Sequence, residues 1–241
     1  MKRENNFINY AHRGASEYAP ENTFLSFNLG VFMRANGIET DVQLTKDGVA
    51  VLFHDDTLER VTGEKGLVKD YTLEELNAFW VKKNGLKDKI PTLVDFVTHF
   101  KHHDIITAVE LKADGAYEPT AKILKEYQMQ DKVVVTSFKY DQLLMFKKLA
   151  PEFKIGYLTM QVDDDLLKKM KADGFYELCP EACIITAEKC AKWHELGFNV
   201  RVWGVLNDDL MKSAYFAGVD GMTVNFPDKL TTLLEKSPRS K

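Results

Sequence analysis

Short runs rich in Val, Ile and other strand formers alternate with amphipathic helical stretches almost to the end of the chain, and this order constrains the fold more than any other feature. The strand-like runs are Phe7–Ala11, Ile38–Leu44, Ile105–Leu111, Val133–Ser137, Lys154–Leu158, Phe175–Leu178, Val200–Val205 and Gly221–Val224. Helices are predicted near Thr23–Arg34, Leu93–Lys101, Pro119–Tyr127, Tyr140–Leu149, Asp165–Lys171, Ala187–Leu196, Asp208–Phe216 and Pro227–Glu235. Such alternation makes a parallel sheet, because parallel neighbours need a long crossover that a helix supplies. Eight units in 241 residues favour a (β/α)8 TIM barrel over a doubly wound sheet. No Gly-x-Gly-x-x-Gly follows the first run, which weakens a dinucleotide-binding alternative.

Local signals agree with these boundaries. Thr92 and Thr186 stand where a threonine caps the free amides of a helix start. Thr72 with Glu75 reads as a capping box for a short helix, and Gly197 fits a left-handed helix stop. One segment departs from the plain repeat. Val49–Phe53 follows Ile38–Leu44 after four residues, too few for a parallel crossover, so the two runs should form an antiparallel hairpin. That hairpin would return His54 to the level of Glu39. Thr57–Ile90 then reads as an insertion, a small and partly helical lid or rim. No Pro/Gly/Ser-rich linker divides the chain, so residues 1–241 read as one barrel domain.

Composition narrows the function. Hydrophobic residues make up 45% and charged ones 28%, enough for a sizeable core. A net charge of −4 gives no broad electrostatic reason to bind nucleic acid or an anionic membrane, yet leaves room for a local phosphate site. Cys179, Cys183 and Cys190 read as free thiols rather than a disulfide framework. The polar start lacks a signal-type apolar stretch, and no run approaches the roughly eighteen apolar residues of a spanning helix. A cytoplasmic enzyme is the expectation.

The chemistry concentrates at strand ends. Glu39 and Asp41 are two apart on one strand, so both project to the same face, with Ile38, Thr40 and Val42 opposite. Glu110 and Lys112 repeat the pattern on the next barrel strand. Three inward carboxylates at the C-terminal mouth would be costly without compensation. A hard divalent cation, Mg²⁺ or Ca²⁺, would satisfy Glu39, Asp41 and Glu110 as oxygen ligands. The plainer reading is a set of ion pairs, Glu110 with Lys112 or Glu39 with Arg13. His12 and His54 are the acid–base candidates, since imidazole titrates near neutrality. His99, His102, His103 and His194 fall in or at the ends of helices and suggest no site. Arg13 and Lys112 suit the non-bridging oxygens of a phosphate. Trp203, at the seventh strand end, reads either as a stacking face for a small polyol or as core. Asn225 and Asp228 read as shaping the last loop and capping the final helix.

Taken together, the sequence resembles the glycerophosphodiester phosphodiesterase family. The resemblance rests on His12-Arg13-Gly14-Ala15 with Pro20-Glu21-Asn22-Thr23, on Glu39-Thr40-Asp41-Val42-Gln43-Leu44-Thr45-Lys46-Asp47-Gly48, and on His54-Asp55. Glu110-Leu111-Lys112 and Gly218-Val219-Asp220-Gly221 extend it from residue 7 to about 228. It implies a phosphodiesterase-type TIM barrel with an insertion after His54-Asp55, and metal-dependent hydrolysis of small glycerophosphodiesters to glycerol 3-phosphate and an alcohol. By matching positions it implies Glu39, Asp41 and Glu110 as metal ligands and His12 and His54 as the acid–base pair. Arg13 and Lys112 would contact phosphate, and Trp203 the glycerol. The chain departs from the family pattern after Trp203, where Asn207 comes one place late, and at Val224-Asn225. Two rivals stay open. One is a lysophospholipase D or sphingomyelinase D-like barrel acting on lipid, for which Phe79-Trp80-Val81 would supply an apolar rim. The other is a non-catalytic barrel that binds a phosphorylated polyol.

Overall fold

Eight parallel strands close on themselves in the computed structural model, which describes residues 7–237. Numbered in chain order, the staves are β1 (Ile8–His12), β2 (Gly37–Leu44), β6 (Ile106–Leu111), β7 (Val133–Ser137), β8 (Lys154–Thr159), β9 (Glu177–Pro180), β10 (Asn199–Val202) and β11 (Gly221–Val224). Each stave pairs with its neighbour in parallel, and β1 pairs with both β2 and β11 to complete the ring. The helices α1 (Phe24–Phe32), α4 (Leu93–Phe100), α5 (Tyr117–Glu126), α6 (Tyr140–Leu149), α7 (Asp164–Ala172), α8 (Ala187–Glu195), α9 (Asp208–Ala217) and α10 (Pro227–Lys236) return the chain between staves and after the last. This is the (β/α)8 barrel that the alternation predicts.

The hairpin forms as well. β3 (Ala50–Leu52) runs antiparallel to β2, with Val42 opposite Leu52, and the Phe53 amide donates to Asp41 O at 3.0 Å. His54 therefore returns to the level of Thr40, next to Glu39. Thr92 and Thr186 each accept from the amide three residues on, and Thr72 and Glu75 form the reciprocal capping box. Gly197 closes α8 at φ +90°.

Two strand boundaries shift for physical reasons. β9 starts two residues later than the pattern suggests, because Phe175 belongs to the helix layer. Its amide closes α7 on Met170 O at 3.0 Å, and its ring stacks on Tyr140 at 4.8 Å. β10 stops at Val202, short of Val205, because Gly204 turns the chain at φ +70° and leaves Trp203 only an isolated bridge to Glu181.

Between β3 and α4 the insertion contains α2 (Glu59–Thr62), a 3₁₀ turn at Val68–Asp70, α3 (Leu73–Leu76) and the hairpin β4 (Val81–Lys83)–β5 (Leu86–Asp88). Leu58, Val61, Val68, Leu76, Val81 and Ile90 form a small core with Val51 and Phe53, and Phe79 packs against it. Lys87 and Lys89 lie over the Trp80 ring at 4.7 and 3.7 Å. Phe79-Trp80-Val81 thus serves the insertion itself rather than an apolar rim.

The main core lies between the outer faces of the staves and the helices. Inside the barrel the filling is partly ionic. Arg201, 1% exposed, donates from Nε to Glu177 Oε2 at 2.9 Å and from NH1 to Thr223 Oγ1 at 2.7 Å, with Tyr10 stacked at 5.1 Å. Removing one member of a buried pair leaves the other charge uncompensated. Arg201→Met is expected to destabilise the protein by about 3–5 kcal/mol, read by denaturant unfolding, while the double change with Glu177→Leu recovers much of that loss. Equal stability of the single variant and the parent would show that the pair carries no such weight.

Candidate active site

β1 ends on His12, and the chain turns at once. Arg13 adopts φ +55° and Gly14 φ +82°, the left-handed region that ordinary residues avoid. A Cβ on Gly14 would lie 2.4 Å from the Ser26 backbone carbon, so only glycine lets α1 approach. The turn is held by the Arg13 amide, which donates to Glu39 O at 2.9 Å and to Glu39 Oε2 at 3.1 Å. Unfavourable backbone that survives because its surroundings over-determine it tends to cluster at working sites.

Parallel register sets the carboxylates side by side. His12 lies opposite Glu39, and Asp41 opposite Glu110. Ligand atoms of Glu39, Asp41 and Glu110 fall within 4.8 Å of one another, and all three residues are buried. Asp41 Oδ1 is enclosed yet has no hydrogen-bond partner. Burial, with Asp41 and Glu110 as like charges, pushes Glu39 well up; burial and then Asp41 push Glu110 up to about 7. Burial pushes Asp41 up too, but Arg13, His54 and Lys112 outweigh it and hold that carboxyl low. A buried, all-oxygen, under-compensated triad with an orphaned carboxylate oxygen has the donor chemistry of a divalent cation site.

The ion-pair reading accounts for part of this charge. Lys112 Nζ lies 3.0 Å from Glu110 Oε1 and 3.7 Å from Asp41 Oδ1. Arg13 turns to Asp41, with Nε 3.2 Å from Oδ2, and to Glu21, with NH1 2.9 Å from Oε1, rather than to the Glu39 carboxylate. Two cations against the three carboxylates, with Arg13 shared with Glu21, leave the triad short of positive charge.

Both histidines are half-buried and open into the same cavity. His12 Nδ1 donates to Asn225 Oδ1 at 2.6 Å, and its Nε2 faces Glu39 at 3.8 Å. His54 Nδ1 donates to Asp55 Oδ1 at 2.6 Å. In both rings the orienting bond is on Nδ1, which leaves Nε2 for chemistry. Burial and the Arg13 charge lower His12 to about 3, and burial is the first cause lowering His54.

His12, Arg13, Glu39, His54, Glu110, Lys112 and Trp203 therefore line one cavity of about 250 Å³ at the C-terminal mouth, with Asp41 against its wall. The Trp203 indole is half-buried, with Nε1 donating to Cys179 O at 3.0 Å and Phe138 edge-on at 5.0 Å. Asn207 does not reach the cavity; it caps α9 by accepting from the Asp209 and Leu210 amides.

The expectation for Asn225 and Asp228 needs correction. α10 starts on Pro227 without a side-chain cap. Asn225 instead orients His12 and accepts from Ser16 Oγ at 3.1 Å, and Asp228 accepts from Tyr18 OH at 2.8 Å. Sequence reasoning also gave no role to Asn22, whose amide donates to Asp41 Oδ2 at 2.9 Å, or to Glu21 and Arg60. A small polar residue following a barrel strand was the available signal for Asn225.

A (β/α)8 barrel with an acidic triad and two oriented histidines at its C-terminal mouth is built as an enzyme site. The family model described as the glycerophosphoryl diester phosphodiesterase family matches residues 12–229, and the chain belongs to that family. It is 35% identical over 240 residues to a glycerophosphodiester phosphodiesterase of Caldanaerobacter subterraneus subsp. tengcongensis, covering 94% of this chain and 97% of that one. It is 34% identical over 244 residues to a glycerophosphodiester phosphodiesterase of Bacillus altitudinis, covering 94% and 98%. Among solved structures, an Oleispira antarctica phosphodiesterase in complex with the product sn-glycerol-3-phosphate superposes with a TM-score of 0.88 at 26% identity, over 95% of this chain and 96% of that one. Among the described residues, no helix is long and apolar enough to cross a membrane.

Proposed function

We propose that this chain hydrolyses small glycerophosphodiesters to glycerol 3-phosphate and an alcohol, with His12 and His54 as the proton-transfer pair. The observation that carries the reading is the convergence of both histidines, three carboxylates and two cations on one cavity. Mg²⁺ or Ca²⁺ held by Glu39, Asp41 and Glu110 would supply positive charge against the ester oxygens. Arg13 and Lys112 bind the non-bridging oxygens, as a planar fork and a point charge. Trp203 offers its indole to the apolar face of the glycerol. One histidine takes a proton at Nε2 from the nucleophile, and the other, protonated on both nitrogens once the bound phosphate offsets the Arg13 charge, gives its Nε2 proton to the departing alkoxide; water attacks phosphorus directly, or the glycerol 2-hydroxyl does so and water then opens the cyclic phosphate.

The test is a panel of glycerophosphodiesters assayed with each cation, following released glycerol 3-phosphate. Turnover of glycerophosphocholine well above that of lysophosphatidylcholine is expected. The reverse order would favour the lipid-directed rival, and ligand binding with no product would favour a binding protein.

A further inference from the structure

We infer that Arg60, in the insertion, is a positioning residue that clamps His54 and Arg13 together; the inference rests on the phosphodiesterase reading of the cavity. Arg60 lies on α2, outside the barrel. Its guanidinium grips two carboxylates from different loops. Nε donates to Asp55 Oδ2 at 2.5 Å and NH2 to Asp55 Oδ1 at 3.0 Å. On the other side NH1 donates to Glu21 Oε2 at 2.8 Å and NH2 to Glu21 Oε1 at 2.7 Å. Asp55 in turn accepts from His54 Nδ1 at 2.6 Å, and Glu21 from Arg13 NH1 at 2.9 Å. A single side chain thus links the proton-transfer residue to the phosphate cation.

The geometry needs arginine. Only a planar fork with several donors can serve two carboxylates bidentately, whereas a lysine ammonium is one point of charge. The chemistry needs it as well. An ionised Asp55 fixes the proton of His54 on Nδ1 and leaves Nε2 bare toward the cavity. Burial pushes the Asp55 carboxyl up, but its bonds from Arg60 and His54 outweigh that and hold it at about 2. Packing fixes the clamp in place, since Leu58 and Val61 on either side of Arg60 are buried in the insertion's core. The insertion is therefore a brace for the site. Arg60 itself is half exposed, its side chain at 48%, so little of the fold depends on its burial.

The test uses the full chain with saturating Mg²⁺, as Arg60→Ala and Arg60→Lys. Arg60→Ala should lower kcat on a glycerophosphodiester roughly 10–100-fold, the usual scale for residues that orient a working group, with a smaller change in KM. Arg60→Lys should recover only part of it. In ¹⁵N NMR of the His54 ring, the parent should show the Nδ1-protonated tautomer at neutral pH, and Arg60→Ala a mixture. Melting temperature and cation affinity should stay close to the parent's. Full turnover with an unchanged His54 spectrum in Arg60→Ala would overturn the inference, as would lost turnover that merely tracks unfolding. A parent that cleaves none of the diesters would defeat the phosphodiesterase reading, and the ring spectrum would still decide the clamp.

Discussion

Replacing either cavity histidine by alanine is expected to cut turnover of glycerophosphocholine by roughly 10²–10⁴-fold, the range over which positioned acids and bases act. Each ring is oriented through Nδ1, by Asn225 for His12 and by Asp55 for His54, so each presents Nε2 to the same cavity. Neither ring is fully buried, so the variants should fold with melting temperatures near the parent's. The loss should fall on kcat more than on KM, because a proton in flight is worth most in the transition state. The double variant should lose much less than the product of the single losses, since an acid and a base that serve one displacement act as a unit. Near-normal turnover of either purified variant would remove that residue from the proton-transfer pair. A stopped assay of released glycerol 3-phosphate from single and double variants decides the point.

What was legible in the sequence was local. A strand reveals its inward face through spacing of two, so Glu39 with Asp41, and Glu110 with Lys112, could be placed on the barrel interior from the residue order alone. The four-residue link before Val49 likewise left no choice but a hairpin, and the hairpin delivered His54. What stayed hidden depends on partners far apart in the chain. Arg60 looks like a solvated charge on a short helix until folding sets it between Asp55 and Glu21, 39 residues away from the latter. Asn225 looks like loop punctuation until β11 lies beside β1 and brings it to His12, 213 residues earlier. The Arg201–Glu177 pair inside the barrel stayed hidden because its members sit on different staves, 24 residues apart, and meet only when the ring closes.

Removing divalent cations is expected to abolish turnover, with Mg²⁺ or Ca²⁺ restoring it, and to leave a distinct mark on stability. Burial and the Asp41 charge raise Glu110 from 4.5 to about 7 in the folded protein, and Glu39 moves the same way. A carboxyl raised on folding holds its proton where the unfolded chain has released it. Its contribution is complete below the unfolded value and is lost as pH climbs through the folded one. In the cation-free protein Glu110 should therefore take away something on the order of 3 kcal/mol between about pH 4.5 and pH 7, while His12 and His54, lowered on folding, add stability as pH rises toward 6.5, so the carboxyl is read as the difference between the parent and Glu110→Gln. Asp41 acts in the opposite sense but in another window: its lowered carboxyl stabilises the fold above the ordinary carboxylate range and is lost only on stronger acidification. The ionised triad is the form that binds metal, so cation affinity should tighten as pH rises and offset the loss. Melting curves from about pH 5 to pH 8, with EDTA or with saturating cation, should diverge progressively toward the alkaline end. Glu110→Gln should make the EDTA curve gain on the parent's between about pH 4.5 and pH 7, because the titrating carboxyl is gone, while also weakening the cation. Parent and Glu110→Gln curves that run parallel in EDTA across that window, with no gain from Mg²⁺ or Ca²⁺, would leave three buried carboxylates without the ion that accounts for them.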